Sequence, residues 1–200
     1  KDSASVSSAP GRVIPLPAGK WAWSAGFGVA GPLWSSGHHT GQDFSATAGT
    51  PVLAAAAGIV IFTGNGGPYG NLTQIQHPDG VQTWYAHQTE FRTKVGDKVR
   101  PGQVIGSVGA TGNTTGPHLH FEVRFKGHPL NPANFISFTE NKIEADSIII
   151  KHNKYGVCAY PSNATLYSIQ KGDSWFEIAK RYGMSTKQLC SLNGTDKRYY

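Results

Sequence analysis

The stretch LTQIQHPDGVQTWY, residues 72–85, indicates the fold class of this chain because a tight turn joins two strand-like segments in it. The turn residues are Pro78, Asp79 and Gly80, each of which favours a sharp reversal of the backbone. Residues 72–76 and 81–85 are therefore predicted to pair as an antiparallel β-hairpin.

Short apolar runs separated by turn residues continue on both sides of this hairpin. Residues 52–62 form a run rich in Ala, Val and Ile, which ends at a Gly-Asn-Gly-Gly turn. Further strand and turn signals lie at 95–106, and residues 118–123 are typical of another strand. We therefore expect a mainly β domain over residues 20–138, built from short antiparallel strands.

The length of 200 residues suits one domain of ordinary size and a small module. Glycine is frequent, at 25 residues, and only 15% of the residues are charged, which favours turns and short strands over long solvated helices. The pattern changes after Phe138. Residues 1–19 are predicted to be a flexible leader, 139–160 a linker and 161–200 a second, smaller unit.

Two helix signatures follow a short strand-like segment at 167–169 in this smaller unit. In the first, Ser174 can cap the amide of Glu177, and Gly183 is placed to end the helix. Residues 185–188 repeat the capping pattern, and an Asn-Gly pair would end the second helix. The unit is therefore predicted to be a small α+β module with the order strand, helix, helix.

The formal net charge of +6 is divided evenly on either side of residue 139, so it does not indicate nucleic-acid binding. An apolar run of 18 residues is lacking, and no membrane span is expected. Residues 1–10 do not look like a signal peptide, and we expect a secreted, extracellular monomer whose export signal has been removed. Sequons for N-glycosylation occur at Asn71, Asn113, Asn163 and Asn193.

The densest chemical signal is the pair His118 and His120, which precedes strand-like residues. Side chains two residues apart on a strand point to the same face, so both imidazoles can address one metal ion. The spacing alone leaves open how many of the two rings bind a metal, because histidines packed on a strand have the same pattern.

A second pattern, His39 and Asp43, offers an imidazole and a carboxylate, two ligand types that zinc accepts. Four residues of straight strand span about 13 Å, which is too far for two ligands of one ion. Gly41 disfavours a helix, so the segment must bend, and we expect the bend at Thr40 and Gly41. Taken alone, this spacing is also common on polar turns.

Three segments together resemble the signature segments of the lysostaphin-type zinc endopeptidases, in the same order and with suitable separations. They are GHHTGQDF at 37–44, WYAH at 84–87 and GNTTGPHLHFE at 112–122. The resemblance covers roughly residues 20–138. It implies an antiparallel sheet with a groove that holds one Zn²⁺ ion per chain.

The same resemblance implies a role for five side chains. By the family pattern His39, Asp43 and His120 bind zinc, and His87 and His118 line the reaction site as acid, base or charge-stabilising groups. Three protein ligands are typical of catalytic zinc sites, which keep a fourth position for water. The pattern does not say which of His87 and His118 acts as the base.

Other polar residues near these motifs are not predicted to bind the metal or to take part in catalysis. His38 falls outside the family pattern, Glu122 is expected to face outward from its strand, and Gln88 stands where the family usually has an apolar residue. The remaining histidines fit no ligand spacing and are expected on the surface: His77, His128 and His152.

Residues 167–193 resemble the lysin motif (LysM), a module that binds N-acetylglucosamine-containing glycans such as peptidoglycan or chitin. That family closes its fold with a second strand. Only six residues follow Gly194, so we expect this strand to be missing or to lie beyond the end of this chain. The resemblance places four residues near the sugar groove, but a role in turns and helix caps would equally explain why these residue types occur there. These residues are Gly172, Asp173, Ser174 and Asn193.

The chain has two cysteines, Cys158 and Cys190, which we predict to form a disulfide between the linker and the second helix. Such a bond would close a loop in the unfolded chain and contribute about 3–4 kcal/mol. It would also suit an extracellular, glycosylated protein.

The two resemblances predict a secreted, bacteriolytic zinc endopeptidase that hydrolyses peptide bonds in peptidoglycan stems or cross-bridges, with a glycan-binding module for wall targeting. One alternative is a catalytically inert wall-binding or activator protein. Another, a biotinyl or lipoyl carrier-like barrel, is disfavoured because no lysine lies in a hairpin flanked by methionines. The bond cleaved, glycyl-glycine or D-alanyl, stays open because groove loops rather than the motifs determine it.

Overall fold

The computed structural model describes residues 3–8, 11–32, 34, 36–137, 142–143, 147–153 and 156–192. Its strands are β1 Ser3–Ser8, β2 Ala22–Trp23, β3 Gln42–Ser45, β4 Pro51–Leu53, β5 Gly58–Asn65, β6 Asn71–Gln76, β7 Val81–Ala86, β8 Glu90–Phe91, β9 Lys98–Val99, β10 Val104–Ser107, β11 His118–Phe125, β12 His128–Leu130, β13 Ile136–Ser137, β14 Lys142–Ile143, β15 Ser147–Asn153 and β16 Gly156–Pro161. The α-helices are α1 Trp175–Arg181 and α2 Thr186–Leu192, and short 3₁₀ helices lie at Gly67–Tyr69 and Pro132–Asn134.

The largest sheet of the described residues has the strand order β2-β3-β11-β7-β6-β5-β9, with β12 also paired to β11. All of its neighbouring strands are antiparallel. The predicted hairpin is confirmed, since β6 pairs with β7 and Thr73 lies opposite Tyr85. A smaller sheet, β4-β10-β8, contributes Val52 and Ile105 to the same hydrophobic core. The expectation of a mainly β, antiparallel fold is therefore confirmed.

Successive side chains of strand β11 point to opposite faces of the sheet, one towards the core and one towards a polar face. The odd-numbered residues 119–123 are apolar and lie in the main hydrophobic cluster with Phe44 and Tyr85. Burying one such side chain stabilises the fold by about 1.5–3 kcal/mol. A shift of one residue would expose all of them, so the register is strongly specified. The even-numbered residues 118–124 are polar and consequently share the opposite face.

The expectation that His77 lies on the surface was wrong. Its side chain is 4% exposed, with Nδ1 2.8 Å from the carbonyl oxygen of Ala57 and Nε2 2.8 Å from the hydroxyl of Thr83. The sequence placed this residue beside an exposed turn, but the tertiary fold packs it against the segment before β5. His128 is exposed, as expected.

We expect the free energy of unfolding to decrease as the pH is lowered from 7 to about 5, in part because of His77. Burial lowers the pKa of His77 from its usual value, whereas an unfolded histidine has a pKa of about 6.5. Below that pH the unfolded chain binds a proton that the folded chain does not, so stability decreases by up to about 1.4 kcal/mol per pH unit. Urea unfolding at several pH values measures this slope.

A matched pair of variants assigns the slope to the buried ring. His77→Gln should flatten the dependence of stability on pH, whereas His128→Gln changes an exposed histidine and should leave it as in the parent chain. The same slope in all three proteins would show that burial of His77 does not contribute.

The stretch predicted to be a flexible leader is largely structured. Strand β1 pairs with β15, which also pairs with β16, so part of the predicted linker forms a three-stranded sheet with the N-terminal segment. Further along, Ile14 and Leu16 are buried in the main core, and Arg12 forms a buried ion pair with Asp79 at 2.6 Å. Serine-rich composition predicted disorder, but pairing with a distant, isoleucine-containing strand orders the segment.

The smaller unit contains the two predicted helices. Ser174 accepts a hydrogen bond from the Glu177 amide at 3.2 Å, which confirms the first cap, and Gly183 adopts a positive φ of 67° just after α1. Ser185 and Gln188 confirm the second cap through reciprocal hydrogen bonds. Residues 167–169 do not form a strand, and the residues after 192, which include the predicted end of the second helix, lie outside the described residues.

The cysteines are not joined in the structure. Cys158 is an exposed free thiol on β16, and Cys190 is a buried free thiol on α2. The disulfide was inferred from the presence of two cysteines, but one faces solvent and the other packs inside the helical unit. In the part of the chain that the structure describes, no helix is long and apolar enough to span a membrane.

Candidate metal centre

Strand pairing brings the two histidine motifs to one place. Strands β3 and β11 are neighbours, and their register sets Asp43 directly opposite His120. His39 Nε2 is 3.0 Å from Asp43 Oδ1 and 3.0 Å from His120 Nδ1. The third separation, between His120 Nδ1 and Asp43 Oδ1, is 2.8 Å. Three ligand atoms from distant parts of the sequence therefore converge on one point.

A bend before β3 makes this convergence possible, as the sequence predicted. Gly41 lies in the bend, and a β-carbon there would come within 2.5 Å of the Phe121 carbonyl oxygen and 2.9 Å of His120 Cε1. Contacts this short are not tolerated, so a side chain at this position would push the segment away from β11. Glycine is required because the two ligand-bearing segments approach each other so closely.

The convergent atoms fit a metal ion. Nδ1 of His39 lies 2.8 Å from the Gly26 carbonyl oxygen, and Nε2 of His120 lies 2.9 Å from a carboxylate oxygen of Glu122. Both partners can only accept, so each of these nitrogens carries a proton, and the other nitrogen of each ring is the one that can offer a lone pair to a metal ion.

Two imidazole lone pairs and the Asp43 oxygen then face one another at 2.8–3.0 Å, and they repel one another unless a cation lies among them. Ligands arranged tetrahedrally around one zinc ion lie about 3.3 Å apart, close to these separations. Among the described residues, His39, Asp43 and His120 form a group whose ligand atoms all lie within 4.8 Å of one another.

The structure also brings His87 and His118 to this centre. The ring of His87 lies 4.6 Å from that of His118 and 5.9 Å from that of His120, measured between centroids. Nδ1 of His87 donates to the Thr111 carbonyl at 2.7 Å, and Nδ1 of His118 to the Gly116 carbonyl at 2.9 Å. In both rings Nε2 is therefore the nitrogen left to exchange a proton with another molecule.

His87 has an unusual backbone, with φ of 60° immediately after β7. Non-glycine residues rarely adopt this left-handed conformation, and it persists where the surrounding structure enforces it. The His87 amide donates to the Tyr69 carbonyl oxygen at 2.8 Å, and the next amide, of Gln88, donates to the Asn71 carbonyl oxygen at 3.1 Å. These two hydrogen bonds hold the residue at the end of the strand, where its ring reaches the centre.

The electrostatics of the centre follow from burial and close opposite charges. Burial alone would raise the pKa of Asp43, but hydrogen bonds and charge from His120 and His39 hold it well below its usual range. Burial alone would lower the pKa of His120, but hydrogen bonds to Asp43 and Glu122 raise it to about 9. Burial lowers the pKa of His87 to about 4. The centre therefore attracts positive charge strongly, either a proton on Nδ1 of His120 or a metal ion in its place, while the neighbouring ring of His87 favours its neutral form.

The expectation that Glu122 faces outward was wrong. Its side chain is fully buried, and besides His120 it accepts hydrogen bonds from Thr40, Tyr69 and Arg124. Sequence reasoning missed this cluster although the signal was present, because the period of β11 places even-numbered residues 118–124 on one face. Loops that cover this face bury Glu122, and strand spacing alone does not reveal such covering.

Two other residues next to the motifs, His38 and Gln88, do not contribute ligand atoms to the centre. His38 is exposed, consistent with its place outside the family pattern. Gln88 is fully buried, and its amide donates to the hydroxyl of Thr73 and the carbonyl oxygen of Tyr85. Gln88 therefore braces the strands β6 and β7 rather than lining the face that holds the metal ligands.

The residues proposed for glycan binding lie near the start of α1. Asp173 accepts hydrogen bonds from the Tyr167 hydroxyl at 2.8 Å and the Gln170 amide at 2.6 Å, so it organises the turn before the helix. Gly172 in this turn has a φ of 95°, and the neighbouring Ser174 caps the helix. Asn193 lies outside the described residues.

Among the sequons, Asn113 and Asn163 are exposed. Asn71 is half-buried, and its side-chain amide donates to the Gln88 carbonyl oxygen at 3.0 Å. The nitrogen to which a glycan would be attached is therefore already engaged in a hydrogen bond within the protein. Exposed asparagines are therefore better placed for modification than Asn71 is.

An antiparallel sheet that carries a His, Asp and His donor set beside two further histidines fits the class of metal-dependent hydrolases. Within that class, residues 37–132 match the model of peptidase family M23, and residues 167–198 match that of the LysM domain. The chain thus contains a lysostaphin-type M23 peptidase domain followed by a LysM domain.

Similar proteins support this assignment. The DD-carboxypeptidase/endopeptidase Mpg of Neisseria meningitidis is 49% identical over 108 residues, covering 54% of this chain and 25% of that protein. The chain thus spans about a quarter of the length of that relative. A zinc-containing peptidase from Vibrio cholerae superposes with a TM-score of 0.56 at 32% identity, covering 62% of this chain and 39% of that one. The catalytic domain of lysostaphin from Staphylococcus simulans superposes with a TM-score of 0.55 at 35% identity, covering 57% and 91%.

Proposed function

We propose that this protein is a secreted zinc endopeptidase that hydrolyses peptide bonds in the stems or cross-bridges of bacterial peptidoglycan and thereby lyses bacteria. The observation that carries the proposal is the convergence of His39 Nε2, Asp43 Oδ1 and His120 Nδ1 beside the rings of His87 and His118. The names of the Neisseria relative, a DD-carboxypeptidase/endopeptidase, and of lysostaphin, an antimicrobial peptidase, support the peptidase activity and the antibacterial action in this proposal.

The five side chains divide into two groups by their hydrogen bonds. His39, Asp43 and His120 would hold zinc, which when bound activates water and polarises the peptide carbonyl. His87 and His118 keep their Nδ1 protons on backbone carbonyls, so that Nε2 of either ring can accept a proton from water and return it to the departing amine. A protonated ring would also stabilise the oxyanion of the tetrahedral intermediate.

The LysM domain would concentrate the enzyme on its polymeric substrate by raising the effective concentration of the peptidase at the wall. We propose that the turn containing Gly172 and Asp173 contributes to glycan binding. Secretion is part of the proposal because peptidoglycan lies outside the cytoplasmic membrane, and the exposed sequons are consistent with that route.

Release of new amino termini from purified peptidoglycan tests the proposal directly. We expect release that stops when a chelator is added and resumes when zinc is restored. Two walls should be compared, one with glycine bridges and one cross-linked directly through D-alanyl bonds, and the masses of the fragments identify the bond. Sedimentation with the insoluble wall, with and without N-acetylglucosamine oligosaccharides as competitors, measures glycan binding in the same samples.

The outcomes separate the peptidase from its alternative. Absence of release from both walls by a chain that carries one zinc ion would overturn the enzymatic proposal and favour an inert wall-binding or activator protein. Sedimentation that the oligosaccharides do not reduce would contradict the glycan-binding role of the LysM domain.

A further inference from the structure

A buried carboxylate lies directly behind one of the metal ligands. Glu122 Oε1 is 2.9 Å from His120 Nε2, 2.5 Å from the Thr40 hydroxyl and 3.0 Å from the Tyr69 hydroxyl. Its other oxygen, Oε2, accepts from Arg124 Nε at 2.5 Å. The carboxylate therefore joins β11 to the segment that carries His39 and to the 3₁₀ helix that ends at Tyr69.

We propose that Glu122 is a positioning residue that holds His120 in the tautomer with its lone pair on Nδ1 and so sets the affinity of the centre for zinc. This inference rests on the proposed function, because it assigns a role toward the same metal ion. The residues that complete the arrangement are Thr40, Tyr69 and Arg124.

The first argument for this role is the choice of tautomer. Without an acceptor at Nε2, a neutral imidazole can place its proton on either nitrogen, and one of the two forms has no lone pair for the metal. An ionised carboxylate can only accept, so the contact with Glu122 selects the form with the proton on Nε2. The carboxylate also makes the ring more electron-rich, which strengthens it as a ligand.

The second argument is that Arg124 holds the fully buried carboxylate in place. A buried, unpaired charge is costly, but the guanidinium of Arg124 lies against Oε2 and also donates to the Tyr69 hydroxyl at 3.1 Å. The guanidinium carbon lies 3.8 Å from the centre of the Trp84 ring, a stacking contact that fixes its plane. Trp84 and Arg124 thus hold the Glu122 carboxylate in its orientation toward His120.

The third argument is the link between two ligand-bearing segments. Thr40 follows the ligand His39 in the chain, and its hydroxyl donates to the same carboxylate oxygen that His120 contacts. One oxygen atom therefore determines the position of both segments relative to each other. A shift of this carboxylate would move two ligands rather than one.

Zinc affinity, measured by competition with a chromogenic chelator and without substrate, tests the proposal. Glu122→Gln should bind zinc about 10- to 100-fold more weakly than the parent chain, the usual loss when such an outer partner is removed. In NMR spectra of the zinc-loaded parent protein, the Nε2 proton of His120 should be protected from exchange and shifted downfield, and this resonance should be lost in the variant.

The matched control is Asp79→Asn. Asp79 pairs with Arg12 at 2.6 Å, and both side chains are less than 8% exposed, so this variant also breaks a buried arginine–carboxylate pair, but at the turn between β6 and β7. If Glu122 were only a structural counter-ion, both variants would lower the thermal midpoint and neither would change zinc affinity. We expect both to lower the midpoint and only Glu122→Gln to weaken zinc binding.

Equal zinc affinity in Glu122→Gln and the parent chain would overturn the inference while leaving the proposed function intact. Failure of the parent chain itself to bind zinc would instead overturn the proposed function. If Glu122→Gln does not fold, Thr40→Val decides the matter, because it removes one donor to the same oxygen and should weaken zinc binding several-fold. Unchanged affinity in Thr40→Val would then count against the inference.

Discussion

A chain that carries Asp43→Ala is expected to retain no zinc after dialysis and to release no new amino termini from peptidoglycan. Asp43 supplies the only negative charge of the donor set, and its Oδ1 contacts both imidazole nitrogens. Without it, two neutral rings would face each other with two ligands for the ion instead of three. Loss of the metal would remove several kcal/mol of transition-state stabilisation, so turnover should decrease by at least about 10³-fold.

Metal content measured by atomic emission and amino-terminus release measured on the same samples check this prediction. The control is Asp97→Ala, which removes a carboxylate that accepts from the Lys94 amide in an exposed turn; this variant should keep its zinc and its activity. Normal lysis by Asp43→Ala would show that the metal site has been misassigned.

The second large effect is expected from His87→Ala, which should retain one zinc ion and lose activity by about 10²- to 10⁴-fold. The side chain of His87 is not one of the three convergent ligands, and its ring lies 5.9 Å from that of His120. Removing it leaves the lone-pair cluster intact but deletes one of the two Nε2 atoms proposed to exchange protons with substrate and water.

The left-handed backbone of His87 calls for a second variant. Alanine at a φ of 60° is strained, so His87→Ala combines loss of the ring with a change in stability. Asparagine tolerates this conformation better, and His87→Asn should lose as much activity with a smaller change in melting temperature. Loss of zinc from either variant would instead identify His87 as a ligand, and His38→Ala, which changes an exposed neighbour of His39, should behave as the parent chain.

Local patterns in the sequence predicted the elements whose stability depends on near neighbours. The hairpin of β6 and β7 and the caps at Ser174 and Ser185 lie where the sequence placed them. The bend at Gly41 was predictable because two ligands four residues apart cannot reach one ion from a straight strand. For the hairpin and the caps the determining contacts join residues within about a dozen positions, whereas the close packing at Gly41 is against β11.

Predictions failed where burial or pairing depends on distant parts of the chain. The N-terminal segment was expected to be flexible, but its strand partner β15 lies about 145 residues away in the sequence. His77 and Glu122 were expected on the surface, and both are buried by segments that local spacing does not reveal. Two cysteines suggested a disulfide, although a bond also requires that their positions in the fold be close.

The sequence by itself determined the chemistry of this protein: which side chains can bind a metal, that His118 and His120 lie on one face of a strand, and which family the motifs resemble. Only the tertiary structure decided which nitrogen of each ring presents its lone pair, because the acceptors Gly26, Glu122, Thr111 and Gly116 are selected by packing. Residue types are local properties, whereas hydrogen-bond partners and burial depend on segments that meet only when the chain has folded.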